Sequence, residues 1–367
     1  MHVPVVHSTY ESRTPSELLG NRLESNGLTP PSCGVSFPVF AKPLLSLITL
    51  CLLAGAAFAQ PAVVYSVGGK FDGSFNEAAY VGAERYREET GESYGEFEIA
   101  SPAQSLQALR TFAQKGFSPI VAIGFNHASA LAKVAPQFPK TQFAIVDAVV
   151  EAPNVQSIVF REQEGSYVVG ILAAMASKSH VIGFVGGMDI PLIRKFACGY
   201  IQGARSVDKK VKVLVNMTGP TPAAWSDPAR GAELARSQIE QGADVIIQAA
   251  GGTGIGVLQA AADAGVLGIG TDSNQNGLHP GQVLTSMRKR VDNAVYDNFM
   301  AAKDEEWEPG VKVLGLAEGG LDWVLDDDNG ALITPEMEEA AHAAEEAIAM
   351  GEVKVHDAAT QGPCPVK

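Results

Sequence analysis

Between residues 61 and 358, short apolar runs alternate with longer stretches of helical period. Runs such as "AVVYSV", "PIVAIG" and "DVIIQAA" have no polar face. A strand of that kind must be covered on both sides, which is the condition of a parallel sheet between layers of helix. Further runs of this type are "FEIAS", "QFAIVDAVV", "VQSIVF", "VIGFVGG", "VKVLVNMTG", "VLGIGTD", "QVLTSM" and "KVLGLAEG". Helical patterns are predicted at 75–90, 103–115, 126–136, 164–178, 191–206, 228–241, 254–264, 288–303 and 335–350. The chain is therefore expected to be α/β. Its 367 residues suffice for two lobes of ordinary domain size. One α/β run closes and another opens near residue 160, without a simple sequence repeat.

Charge narrows the partners. Lys and Arg number 27 against 41 Asp and Glu, for a net charge of −14. Apart from "MRKR" at 287–290 there is no basic cluster. That argues against a nucleic acid partner, whose binders carry basic faces. The four cysteines, Cys33, Cys51, Cys198 and Cys364, show neither CxxC spacing nor a His at zinc-finger distance. Neither a disulfide framework nor a metal site is expected, and Cys198 reads as a core residue of a helix.

Residues 41–60, "AKPLLSLITLCLLAGAAFAQ", have a charged flank, an apolar run and an A-x-A ending. These are the parts of a cleaved secretory signal peptide. The run falls short of the roughly 20 residues that span a bilayer. A leader over 1–59 and a mature protein from about Gln60 are expected. Residues 1–40 are polar and aperiodic, an unusual preface to a signal peptide that an over-extended start would explain.

Several strand ends carry groups able to hold a ligand. In "GGKFDGSFNEAAYVGAERY", Ser74 and Glu77 have capping-box spacing, and Phe75 and Asn76 fall in the first helical turn. Ligands of open α/β sheets bind outside the carboxyl ends of strands, so Asp72, Phe75 and Asn76 are candidates. Asp147 in "AIVDAVV" and Asp272 in "GIGTDSN" each end an apolar run. Such a carboxylate either caps the next turn or accepts from ligand hydroxyl and ring N–H groups. Trp225 precedes the helix start "SDPARG" and either staples that helix or offers a ring for stacking. Lys289 offers a donor, while Arg288 and Arg290 read as a solvated helix start. "QAAGGTGIGVLQAA" is glycine-rich after a strand, but its spacing is GxGxG and not GxGxxG. A dinucleotide-binding enzyme using residues 251–256 stays as an alternative. No G-x-S-x-G, HExxH or Walker A motif is present, and no catalysis is expected.

In this order, "DGSFNEAAYVG", "FAIVDAVV", "EGSYVVGILAA", "IGFVGGMDIPLIRKFACGY", "WSDPARG", "VIIQAAGGTGIGV", "IGTDSNQ" and "VLTSMRKRVD" resemble the basic membrane protein family. These are ABC-transporter substrate-binding proteins, typified by a purine nucleoside receptor. The resemblance spans nearly all of residues 62–355. It implies a type I periplasmic-binding-protein fold, with two Rossmann-like lobes joined by three crossings. Lobe 1 would be 61–158 plus 286–307, and lobe 2 would be 159–285 plus 308–358, followed by a frayed tail at 359–367. The resemblance implies a purine between Phe75 and Trp225, with its edge on Asn76 and Asp147. Gly251 would offer its backbone, and Asp272 and Lys289 would hold ribose. Where the nucleoside receptor has an Asp nine residues before the stacking Phe, this chain has Ser66, which opens the site to a free base, another nucleoside or a related flat heterocycle. No Cys follows "LLAGAAFA", so a soluble periplasmic protein is expected, and it is taken to be a monomer. An inner-membrane ABC permease is the implied partner, with no cofactor. A sensory receptor of the same fold is a further alternative.

Overall fold

The computed structural model describes residues 59–366; the leader lies outside the described residues. Among those residues the strands form two six-stranded sheets. The first has the order β11 (Gly310–Leu314), β5 (Val155–Phe160), β4 (Phe143–Val146), β3 (Ile120–Ile123), β1 (Ala62–Tyr65), β2 (Gly95–Glu98). The second has the order β12 (Leu321–Trp323), β10 (Val283–Lys289), β9 (Leu267–Asp272), β8 (Val245–Ala249), β6 (Val181–Met188), β7 (Lys212–Gly219). All pairings are parallel except β10 with β12. The two sheets repeat one strand order and differ only in the direction of the last strand, a symmetry that the sequence does not display.

Burial explains the strand sequences. β1, β3, β4 and β8 are buried at every residue. Alternate residues of β1 enter different cores: Val63 and Tyr65 join Ala79, Tyr86 and Phe299, whereas Ala62 and Val64 join Leu109 and Leu131. The sheet is thus covered on both faces, as its unbroken apolar runs require. Edge strands β2 and β11 are largely exposed and β7 is half-buried to exposed; they carry Glu96, Glu98, Lys212 and Lys312. Charged side chains on an edge discourage pairing with another chain.

The helices are α1 (Phe75–Thr90), α2 (Ser105–Gln114), α3 (Ala128–Val134), α4 (Glu162–Ala176), α5 (Pro191–Val207), α6 (Pro228–Glu240), α7 (Thr253–Asp263), α8 (Val291–Lys303) and α9 (Pro335–Ala349). Three pairs meet backbone to backbone at glycines. A Cβ at Gly203 of α5 would lie 1.9 Å from Tyr167 O of α4. One at Gly82 of α1 would lie 2.1 Å from Asp292 O of α8, and one at Gly256 of α7 would lie 1.8 Å from Pro228 O of α6.

The chain passes between sheets after β5, after β10 and after β11. The crossings lie side by side, with Arg161 N donating to Leu314 O and Arg290 N to Gly320 O, both at 2.9 Å. The strand assignments differ from the sequence expectation at two places. β10 runs on to Lys289 in the second sheet and the following helix starts at Val291, while Gly310–Leu314 belongs to the first sheet. A strand that ends in Arg288 and Lys289 reads as a helix start until their partners are known.

Two further expectations are corrected. Cys198 and Cys364 form a disulfide, 166 residues apart in sequence. The carboxyl-terminal segment is also pinned by Gln202, which donates to His356 O at 3.1 Å and accepts from His356 N at 3.0 Å. A pairing over such a separation leaves no local spacing to read.

Helix contact at Gly203 yields a test. Gly203→Ala is expected to destabilise the protein by about 1–3 kcal/mol, as overpacked sites do. Gly219→Ala, where the new Cβ would sit 4.0 Å from Ala224 Cβ, is expected to stay within about 0.5 kcal/mol of the parent in the same urea titration.

Candidate functional site

The carboxyl ends of strands from both sheets surround one cavity with about 580 Å³ of empty space, mouth included. It is bordered by residues following β1 and β3, and by others at or after the ends of β8, β9 and β10. In each sheet the strand order reverses between the strands β1 and β3, or β6 and β8. Crevices at such reversals are where α/β sheets bind ligands. All nine residues singled out in the sequence line this cavity: Ser66, Asp72, Phe75, Asn76, Asp147, Trp225, Gly251, Asp272 and Lys289.

Their local roles differ. Asp72, not Ser74, caps α1. Its carboxylate accepts from the backbone N–H groups of Ser74 (2.9 Å), Asn76 (3.1 Å) and Glu77 (3.1 Å). An anion at a helix N-terminus is favoured by the free N–H groups and the dipole. Burial nevertheless raises its pKa above the ordinary value against the pull of those bonds. Ser74 reaches across to the other sheet, donating to Asp272 Oδ2 at 2.8 Å and Thr271 O at 3.1 Å. The capping box is not formed because both its members have other partners; Glu77 accepts from Gly73 N at 2.9 Å. The amide of Asn76 is committed to its own loop, accepting from Ser66 N at 2.9 Å and donating to Gly69 O at 3.0 Å.

Lys289 is buried and joins the two sheets. Its Nζ lies 2.6 Å from Asp147 Oδ1 and 3.0 Å from Glu162 Oε1. Glu162 in turn takes Lys195, at 2.6 Å. The rings of Phe75, Phe160 and Phe196 surround the ammonium at 5.1, 5.0 and 5.8 Å. Burial works against the Lys289 charge, but Asp147, Glu162 and Asp272 outweigh it and hold the pKa above its usual value. Burial pushes the Asp147 carboxyl up to about 6 although Lys289 pulls it down. Burial likewise pushes Asp272 up to about 6, again opposed by Lys289 and by the Ser74 hydroxyl. Asp147 and Asp272 end equivalent strands of the two sheets, and both have left-handed backbone, φ 68° and 72°. Such strain on a non-glycine residue is kept where the surroundings enforce it.

Trp225 lies against the end of β6. A Cβ at Gly187 would fall 2.1 Å from Trp225 Cζ3, so only glycine there allows the ring its seat. Phe125 meets it edge-on at 6.5 Å. Sequence reasoning missed Gly187, Phe125, Asn126, Glu162 and Phe196. Phe125 and Asn126 sit in "GFNHA" directly after β3, a strand-end position of the kind that had marked the other candidates. His127 of the same stretch is buried, and burial lowers its pKa to about 4.

The glycine-rich turn serves packing. A Cβ at Gly254 would lie 2.0 Å from Gln248 Oε1, and Gly256 touches Pro228 as described. Those contacts account for its glycines without a dinucleotide. Among the described residues no cluster of metal-ligating side chains occurs.

Comparison with known proteins adds a separate finding. Residues 59–358 match the family described as ABC transporter substrate-binding protein PnrA-like. The ABC transporter nucleoside-binding protein BmpA of Lactococcus lactis is 32% identical over 319 residues, covering 81% of this chain and 88% of that one. A relative in Pyrococcus abyssi, named as an uncharacterized lipoprotein, is 34% identical over 316 residues, with 80% and 77% covered. The crystal structure of an ABC transporter solute-binding protein of Aeropyrum pernix superimposes with a TM-score of 0.74 at 28% identity, covering 82% of this chain and 93% of that one.

Buried carboxyls give the stability a pH dependence. Asp272 titrates near 6 in the folded chain against an ordinary 3.8, so the native state holds the extra proton between those values. Its contribution to stability is therefore greatest below 3.8 and is lost as pH rises through about 6. Asp272→Asn is expected to raise the melting temperature more at pH 7.5 than at pH 4.5. Equal changes at both pH values would mean that the Asp272 charge carries no such penalty.

Proposed function

The chain belongs to the PnrA-like family of ABC transporter substrate-binding proteins, and on that premise we propose that it captures a purine nucleoside, or a related flat heterocycle, for delivery to an inner-membrane permease. The observation that carries this reading is that Phe75, at the start of the helix after β1, and Trp225, in the turn after β7, line one cavity together with the Asp272 carboxylate. Two rings suit a flat solute, and a carboxylate suits vicinal hydroxyls. The nucleoside-binding relative in Lactococcus lactis supports the same solute class.

In this reading the base lies between Phe75 and Trp225. Asp272, already tied to Ser74, grips the ribose hydroxyls. Gly251 brings backbone close to the sugar, and Asp147 and Lys289 present a balanced ion pair at the floor. Asn76 acts through the loop that it holds together, and Asp72 through the helix that it caps. The lobes close about the three crossings, and the closed form is what the permease meets. The protein acts as a monomer, without cofactor and without catalysis.

An exported location is part of the proposal. The disulfide between Cys198 and Cys364 suits an oxidising compartment. The relative named as a lipoprotein would be anchored, whereas this chain has no Cys after "LLAGAAFA". A sensory role would use the same ligand cavity and differ only in the membrane partner.

Two substitutions test the site by calorimetry. Stacking contributes about 1–3 kcal/mol per base, so Trp225→Ala is expected to weaken nucleoside binding by about fivefold to 150-fold. A loss under about twofold would take Trp225 out of the site. Asp272→Ala is expected to weaken nucleosides far more than the matching free bases. Equal losses for both would show that Asp272 does not hold ribose.

A further inference from the structure

The cavity wall formed by the ends of β1 and β3 closes on a neutral pair. Ser66 Oγ donates to Asn126 Oδ1 at 2.8 Å, and both residues line the cavity. Asn126 Nδ2 is shielded from solvent and has no hydrogen-bond partner among the described residues. A buried donor without an acceptor is costly, and native structures keep few of them. A ligand acceptor at this wall would satisfy it. The pair is closely packed from behind by Gly124. A Cβ at Gly124 would lie 2.9 Å from Asn126 Oδ1, 3.2 Å from Ser66 Oγ and 3.4 Å from Phe75 Cε1.

The Ser66–Asn126 bond uses one group of each residue and leaves one group of each free. A hydroxyl rotates, and an amide can turn over to exchange its oxygen and nitrogen. In one arrangement Ser66 donates to the amide oxygen, leaving a hydroxyl lone pair and an amide N–H. In the other, the amide N–H donates to the hydroxyl, leaving an O–H donor and an amide oxygen. Each arrangement offers one donor and one acceptor, in opposite order and without charge. The edge of a 6-oxopurine offers an acceptor at O6 and a donor at N1. A 6-aminopurine offers the reverse. A carboxylate at position 66 could only accept.

We infer that Ser66 and Asn126 act as a reversible donor–acceptor pair, so that the cavity takes 6-oxopurine and 6-aminopurine nucleosides with similar affinity. This rests on the purine reading above and adds the groups that set selectivity within it. Asn126 is the specificity-determining residue that the motifs did not mark. Ser66 lets it turn.

The test is titration calorimetry with inosine and with adenosine. The protein is first freed of retained solute by denaturation and refolding with its disulfide oxidised. Both nucleosides are expected to bind, with dissociation constants within about tenfold of each other. Ser66→Asp is expected to favour inosine over adenosine by about tenfold or more relative to the parent. Asn126→Asp, of nearly the same shape, is expected to shift the ratio the same way, and Asn126→Ala to weaken both nucleosides. A parent protein that separates the two by more than about tenfold overturns the inference and leaves the purine reading standing. So does an unmoved ratio in both Asp variants with native circular dichroism. Binding of neither nucleoside to the refolded parent overturns the purine reading and the inference together.

Discussion

A single buried ammonium organises this molecule. Lys289 ends a strand of the second sheet and meets Asp147 from the first sheet and Glu162 at the start of α4. Removing one partner of such a cluster typically costs about 3–5 kcal/mol, because the other charge is left buried and unpaired. The cluster therefore ties the end of β10 to Asp147 of the first sheet and to the start of α4, where its charges balance. Lys195 extends the balance to the second oxygen of Glu162. With Asp147 matched in this way, the Asp272 carboxylate is bound among the described residues only by a neutral hydroxyl of Ser74.

Rigidity and compliance are distributed unevenly around that cluster. The glycine contacts bring α4 to α5, α6 to α7 and α1 to α8 at backbone distance, where any added methyl must displace something. The disulfide adds a covalent tie from α5 to the carboxyl-terminal segment. Beyond the Lys289 cluster, connections between the sheets are of another kind: three adjoining crossings, and the side-chain bonds of Ser74, Ser273 and Gln275 across the cleft. Those bonds can be remade with a change of cleft geometry, whereas the glycine contacts cannot. The molecule is thus built from two stiff halves with an exchangeable seam.

The seam also limits what a ligand finds. Asp72 and Asn76 border the cavity, yet their polar groups are already bonded within the loop that precedes α1. Asp272 has further lone pairs to offer, and Asn126 has an unused donor. Lining a cavity and being available to a solute are different properties, and only the hydrogen-bond partners separate them.

Much of this was legible in the residues. Unbroken apolar runs such as Ala62–Tyr65 and Val245–Ala249 demand cover on both faces, and that alone determined an α/β architecture. Strand-end chemistry and family motifs together marked nine positions, and all nine border one cavity. Tertiary structure decided the partners. Ser74 and Glu77 have capping spacing, but Asp72 caps the helix because Ser74 finds Asp272 some 198 residues away. Lys289 belongs to a strand because Asp147 and Glu162 neutralise it there. Cys198 is bridged because the chain end returns to α5. Hydrophobic period is a local property, carried by each segment alone. A charge, a thiol or an amide gains its role from a partner that only the folded chain brings within reach.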